Sequence, residues 1–257
     1  MKTLKRIILP IAMLLVPVTA LAEDLDQRWS VSADATVSVS NVAGEIEIST
    51  WDRNEVHLTG SLGTDQELDV NESASGISIK ARNKDDEDDY DENFLKLMIP
   101  VGASIEASGV SSDITIADSR GASISAEAVS GDIDVTSESE RLELVSVSGD
   151  IEFAGSASRT SVESVSGDID MDGIADEISV STVSGDVELE AGSVNQGKFE
   201  TVSGSLDLVL SVADGGRLTI EGMAGDVDLS LPSNQSAGIN AATFSGDIES
   251  DFGAAKH

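Results

Sequence analysis

The stretch RLELVSVSGDIEFAGSAS, residues 141–158, carries the reading of the fold. Leu142 and Leu144 alternate with polar or exposed positions, and Val147, Gly149, Ile151 and Phe153 alternate with Ser148, Asp150 and Glu152. Period-two alternation is the mark of a strand with one buried face. Leu144 and Val147 are both expected to look inward, so the alternation slips near Ser146. The slip predicts a bend. The stretch then reads as two short strands meeting at a small-residue corner and closed by a polar loop.

The pattern recurs. Val-Ser-Gly-Asp-Ile stands at 129–133, 147–151 and 165–169, followed by variants at 183–187, 202–206, 223–227 and 244–248. A weaker copy, Val110-Ser111-Ser112-Asp113-Ile114, precedes them. The glycines at 131, 149, 167, 185, 204, 225 and 246 are spaced by 18, 18, 18, 19, 21 and 21 residues. Ser164, Thr182 and Thr201 take the corner position of Ser146. A unit this small cannot bury its own face, whereas units stacked in register share one continuous core. The expectation is therefore an all-β chain with a parallel, β-helix-like solenoid of 18–21-residue rungs. Antiparallel hairpins in a sandwich are the alternative, and the repetition of residue identity favours stacked rungs.

Three apolar columns follow from this register. One is Val129, Val147, Val165, Val183, Val202, Met223, Phe244; another is Ile133, Ile151, Ile169, Val187, Leu206, Val227, Ile248. The third is Ala126, Leu144, Val162, Val180, Phe199, Ile220, Ala241. All three are expected to face the core. The glycine column serves either close backbone approach or a special turn conformation.

The flanks of the repeat read differently. Lys2, Lys5 and Arg6, an apolar run from Ile7 to Val18 and Ala20-Leu21-Ala22 describe a secretory signal peptide over residues 1–22. The run is too short to span a bilayer, and no later segment is apolar enough to do so. Residues 23–108 form an N-terminal β region, with strand candidates at 37–39, 41–48, 56–60, 77–79 and 94–100 that are expected to cap the solenoid. Within it, KDDEDDYDEN at 84–93 repels itself and reads as a solvated, mobile loop, with weak cation binding as the alternative. Residues 109–257 are the VSGDI-repeat solenoid, and Asp247, Glu249 and Asp251 guard its last edge with charge.

Three segments carry a family resemblance: NVAGEIEISTWDRNEVHLTG at 41–60, FLKLMIPVGASIEASGVSSDITI at 94–116, and the VSGDI series ending at 231–253. In them the chain resembles the bacterial family known as putative adhesins, which contain β-strand repeats. That resemblance implies the repeat fold and offers no catalytic residue to carry over.

Composition limits the function. The chain of 257 residues holds 48 acids against 15 bases, for a charge of −33. Without the three cations of residues 1–22 the balance is 48 against 12, or −36. Nucleic acid is not an expected partner, because binding it needs a basic surface. The absence of cysteine excludes disulfides and thiolate chemistry. His57 and His257 are too few for a zinc site or a hydrolytic triad. From residue 101 onward the cations are Arg120, Arg141, Arg159, Lys198, Arg217 and Lys256, and no cluster of them is expected. Trp29, Trp51 and Tyr90 lie outside the repeats, so no aromatic ladder for sugars runs along them.

The outward residues form two acidic columns. One holds Asp132, Asp150, Asp168 and Asp186, the other Asp134, Glu152, Asp170 and Glu188. Rungs about 4.8 Å apart place like charges where they repel by about 0.9 kcal/mol in water and ~3.5 kcal/mol at an effective dielectric of 20. Divalent cations with oxygen ligands, calcium or magnesium, would offset that repulsion, while a solvated face that keeps the protein soluble is the plainer reading. No other cofactor is expected. The whole reads as a non-enzymatic, exported cell-envelope solenoid, periplasmic or at the cell surface. It would be an adhesin-like or scaffold surface for an envelope protein, a glycan or a cation-bridged anionic surface. The rival is a polysaccharide-acting enzyme on a solenoid, which a cluster of bases beside acids would favour.

Overall fold

In the computed structural model, which describes residues 23–84, 91–173, 176–233, 235 and 238–245, the sequence period becomes parallel strand pairing. The N-terminal strands are β1 (Glu23–Ser30), β2 (Thr36–Trp51), β3 (Glu55–Leu62), β4 (Gln66–Glu72), β5 (Gly76–Asn83) and β6 (Asn93–Pro100). The stacked strands are β7 (Ser104–Ser119), β8 (Ser123–Ala128), β9 (Ile133–Ser146), β10 (Ile151–Ser164) and β11 (Ile169–Asp172). They continue as β12 (Asp176–Ser184), β13 (Val187–Ser203), β14 (Leu206–Ala224), β15 (Val227–Ser230) and β16 (Gly238–Ser245). The expected signal peptide at 1–22, residues 85–90 of the expected acidic loop and the expected charged edge from 246 lie outside the described residues.

The fold is a parallel β-solenoid of about seven coils, about 19 residues apart. Ile133, Ile151, Ile169, Val187 and Leu206 align as register partners and are buried. So do Leu144, Val162, Val180, Phe199 and Ile220. Two of the three expected columns thus form the core as far as β14, and their branched side chains stack at rung spacing. Val227 on β15, expected to continue the first of them inward, is instead 43% exposed, because no further coil among the described residues packs over β15.

The stack reaches back beyond the obvious repeats. β7 runs unbroken through residue 109, and β2 pairs with it in parallel, Val37 against Ile105 and Ile46 against Ile114. The hydrophobic period misses this because β3 to β6 are inserted between these two coils. β5 and β6 each add one parallel strand to β2. β4 then closes one face antiparallel on β5, and β3 and β1 close the other on β6. The switch to antiparallel pairing ends the stack, with Leu25, Val56, Leu58, Ile79, Leu95 and Leu97 buried beneath. At the first corner, buried Asn41 donates through Nδ2 to Ser112 Oγ at 3.0 Å and its Oδ1 accepts from Asn93 at 3.0 Å.

The glycine column serves close approach. A methyl group on Gly149 would overlap the Gly131 carbonyl, and one on Gly167 the Gly149 carbonyl. Neither residue has a positive φ, so space and not turn conformation selects glycine at these two positions, whereas Gly225 further along the column combines the same close approach with a φ of 125°.

One expectation is overturned. The column Val129, Val147, Val165, Val183, Val202, Met223 faces outward, 40% to 57% exposed. Its last member, Phe244, lies among residues whose side chains are not described. The cause is the corner. Ser146 Oγ donates to the Gly149 carbonyl at 2.9 Å and accepts the Gly149 N–H at 3.0 Å. Closing the turn from Ser146 to Gly149 keeps Ser146 inside and throws Val147 and Ser148 outside. The alternation therefore continues through Leu144 and Ser146, and breaks after them.

Candidate functional site

Three surfaces run along the solenoid, each built from one position of the repeat. The first is the acidic face. Asp150 N donates to Asp132 Oδ1, Asp168 N to Asp150 Oδ1 and Asp186 N to Asp168 Oδ1, each at 2.9 Å. The ladder begins with Asp113, which accepts from Asp132 N at 3.1 Å, and stops with Ser205 N on Asp186 Oδ1 at 2.7 Å. The corner leaves that N–H without a ladder partner, and a short carboxylate one rung away reaches it. The charge-assisted bond explains why this column is Asp and the next is mixed.

Asp134, Glu152, Asp170 and Glu188 stand exposed in the neighbouring column, in register across rungs. Asp150, Glu152, Asp168, Asp170, Asp186 and Glu188 line a shared groove of about 420 Å³, while Asp132 and Asp134 lie one rung beyond it. Among the described residues no three acidic or histidine side chains converge as a metal-ligand set.

The second surface is the valine ladder. Ser148 N bonds the Val129 carbonyl, Ser166 N that of Val147 and Ser184 N that of Val165, so the exposed side chains stack rung on rung. From Val110 to Met223 the ladder spans six rung steps, roughly 29 Å. Val147, Val165, Val183, Val202 and Met223 line a groove of about 760 Å³ whose rim includes Glu163, Glu200 and Glu221. A continuous exposed apolar stripe of this kind is uncommon on a protein surface in contact with water.

The third surface corrects the expectation that the cations stay apart. Arg141, Arg159, Lys198 and Arg217 line one groove of about 430 Å³, together with Glu143 and Glu177. Arg159 is the register partner of Arg141, and Arg217 that of Gln196. The 18-residue spacing of Arg141 and Arg159 is itself the rung period, so register arithmetic alone contained the signal. Lys198 is tied to Glu200 at 2.7 Å, and that hydrogen-bonded carboxylate holds its ammonium above the usual lysine value.

His57 on β3 bonds Asp26 Oδ1 through Nε2 at 2.8 Å and stacks on Trp51 at 6.0 Å. Arg53 covers the other ring contact of Trp51, 4.7 Å from its centroid. These groups fasten β1 and β3 at the capped end. Among the described residues no serine hydrogen-bonds His57. No helix among them is long and apolar enough to cross a membrane.

No curated protein matches this chain. Among solved structures it is similar to a putative adhesin from Bacteroides fragilis NCTC 9343, at 12% identity and a TM-score of 0.47, covering 86% of this chain and 97% of that one. It is also similar to a putative adhesin from Parabacteroides distasonis ATCC 8503, at 13% identity and a TM-score of 0.42, with the same coverage. A putative cell adhesion protein from Clostridium sporogenes ATCC 15579 aligns at 8% identity and a TM-score of 0.35, covering 82% and 100%. The family model named Toastrack DUF4097 matches residues 34–257, nearly the whole span after the N-terminal basic and apolar run. This chain belongs to the Toastrack DUF4097 family.

Proposed function

We propose that this chain is a non-enzymatic, exported solenoid of the cell envelope, periplasmic or surface-located, that acts as an adhesin-like or scaffold surface. The valine ladder carries the reading. Its apolar side chains stand exposed in register, and the acids beside them select the partner. Glu163, Glu200 and Glu221 flank the ladder on one side, and the aspartate ladder lies on the other, three residues beyond Val110, Val129, Val147, Val165 and Val183. A second copy would bring the same acids face to face, which charge repulsion opposes. A cationic amphipathic polypeptide satisfies both features, its apolar side chains on the valines and its lysines or arginines on the carboxylates.

The test uses a synthetic peptide of alternating leucine and lysine. The wild-type chain binds it, and Val147→Ser, Val165→Ser and Val183→Ser combined weaken binding at least tenfold with the thermal melt retained. Unchanged binding by that variant, or equal binding of a leucine–glutamate peptide, overturns the reading.

The enzyme reading keeps one supporting observation, the basic groove with Glu143 and Glu177 beside its arginines. Release of new reducing ends from an acidic polysaccharide would favour it over a scaffold.

A further inference from the structure

The arginines of the basic groove differ from the other arginines among the described residues. Arg28, Arg53, Arg82 and Arg120 each lie within ion-pair distance of a glutamate. Arg141, Arg159 and Arg217 enter no salt bridge among the described residues, in a chain with 48 acids to choose from. All three line the same groove. Arg141 and Arg159 are moreover register partners on adjacent rungs, a juxtaposition of like charges that destabilises a sheet unless an anion bridges it.

The groove is made of two outward columns lying side by side. One runs Arg141, Arg159, Glu177, Gln196, Arg217 along successive rungs. The other runs Glu143, Ser161, Ser179, Lys198, Thr219. Charged guanidinium groups thus sit at both ends of a track roughly 19 Å long, with hydroxyl and amide groups between them. Guanidinium forks match planar carboxylates in paired hydrogen bonds. Ser161, Ser179, Thr219 and Gln196 offer neutral donors and acceptors suited to hydroxyl groups. Glu143 and Glu177 repel a uniformly dense polyanion, and they accept hydrogen bonds from sugar hydroxyls.

We infer that this groove binds a linear glycan bearing carboxylates, laid along the solenoid axis with its acid groups on Arg141, Arg159 and Arg217. The site is separate from the valine ladder and stands whether or not that ladder docks a peptide. It requires binding alone, with no cleavage of the chain.

The experiment is calorimetric titration of the full mature chain with hyaluronan oligosaccharides of increasing length, whose carboxylates fall on every second sugar. Affinity rises with length until the track is filled, and weakens with added salt. The double variant Arg141→Ala, Arg159→Ala lowers affinity at least tenfold, while Arg120→Ala, outside the groove, leaves it unchanged. All these arginines are exposed, so the variants stay folded, and the double variant, relieved of its stacked like charges, melts no lower than the parent. Neutral malto-oligosaccharides of equal length do not bind. The proposal is overturned if the double variant binds as the parent does, if the neutral oligosaccharide binds equally, or if poly-glutamate binds as tightly as the glycan.

Discussion

Oδ1 of Asp150 accepts the backbone N–H of Asp168 at 2.9 Å, one full coil away. The same bond joins Asp132 to Asp150 and Asp168 to Asp186. A column that repels itself through charge is therefore also a column of hydrogen bonds between rungs, and the two effects oppose each other.

Substitutions at Asp150 separate them. Asp150→Asn keeps an acceptor oxygen and removes a charge, so stability is unchanged or rises slightly. Asp150→Ala removes the acceptor and lowers stability by about 1 kcal/mol. Glu152 makes no such bond, and Glu152→Gln or Glu152→Lys is neutral or stabilising. Urea denaturation of the four variants checks this ordering.

Calcium distinguishes specific binding from screening on the same face. If the columns bind it, millimolar calcium raises the melting temperature more than sodium chloride at equal ionic strength, by mass action on the folded state. Replacing Asp150, Glu152, Asp168 and Asp170 with Asn or Gln then raises the baseline and shrinks the calcium increment. Equal effects of the two salts leave the acidic face as a solubilising surface.

Gly149→Ala places a methyl group against the Gly131 carbonyl across the rung. The coils must separate or shift, at a cost of about 2–3 kcal/mol. The same substitution at Gly192, where nothing lies within 4 Å, costs less than about 1 kcal/mol. Thermal melts of the pair report whether coil spacing is what selects glycine.

Val147→Asp and Val162→Asp test the corrected facing. Val147 is exposed, so its substitution changes stability by no more than about 0.5 kcal/mol. Val162 is buried, and an unpaired carboxylate there costs about 4 kcal/mol or prevents folding. A severe effect at Val147 would restore the inward column.

The corner column gives opposite signs at two of its members. Ser146 closes its turn onto Gly149, so Ser146→Ala costs about 1 kcal/mol. The Thr182 hydroxyl occupies the equivalent place, is buried and has no hydrogen-bond partner among the described residues. Thr182→Val keeps the shape and removes an unsatisfied polar group, and it raises stability by about 1 kcal/mol. Chemical denaturation of both variants measures the contrast.

The sequence by itself determined the rung period, the parallel stacking, the Ile and Leu core columns and the acidic face. Each of these follows from one residue type recurring at a fixed interval, and a solenoid turns sequence interval directly into spatial neighbourhood. Only the tertiary structure decided the rest. The direction of Val147 depends on a hydroxyl of Ser146 closing a turn, a three-dimensional event that period-two alternation does not encode. The aspartate column's bond to the next coil, the return of β2 to the stack across the inserted strands β3 to β6, and the meeting of Arg141, Arg159 and Arg217 are likewise contacts between coils. Alternation along one strand assigns a side chain to a face, and the register between strands assigns it a neighbour.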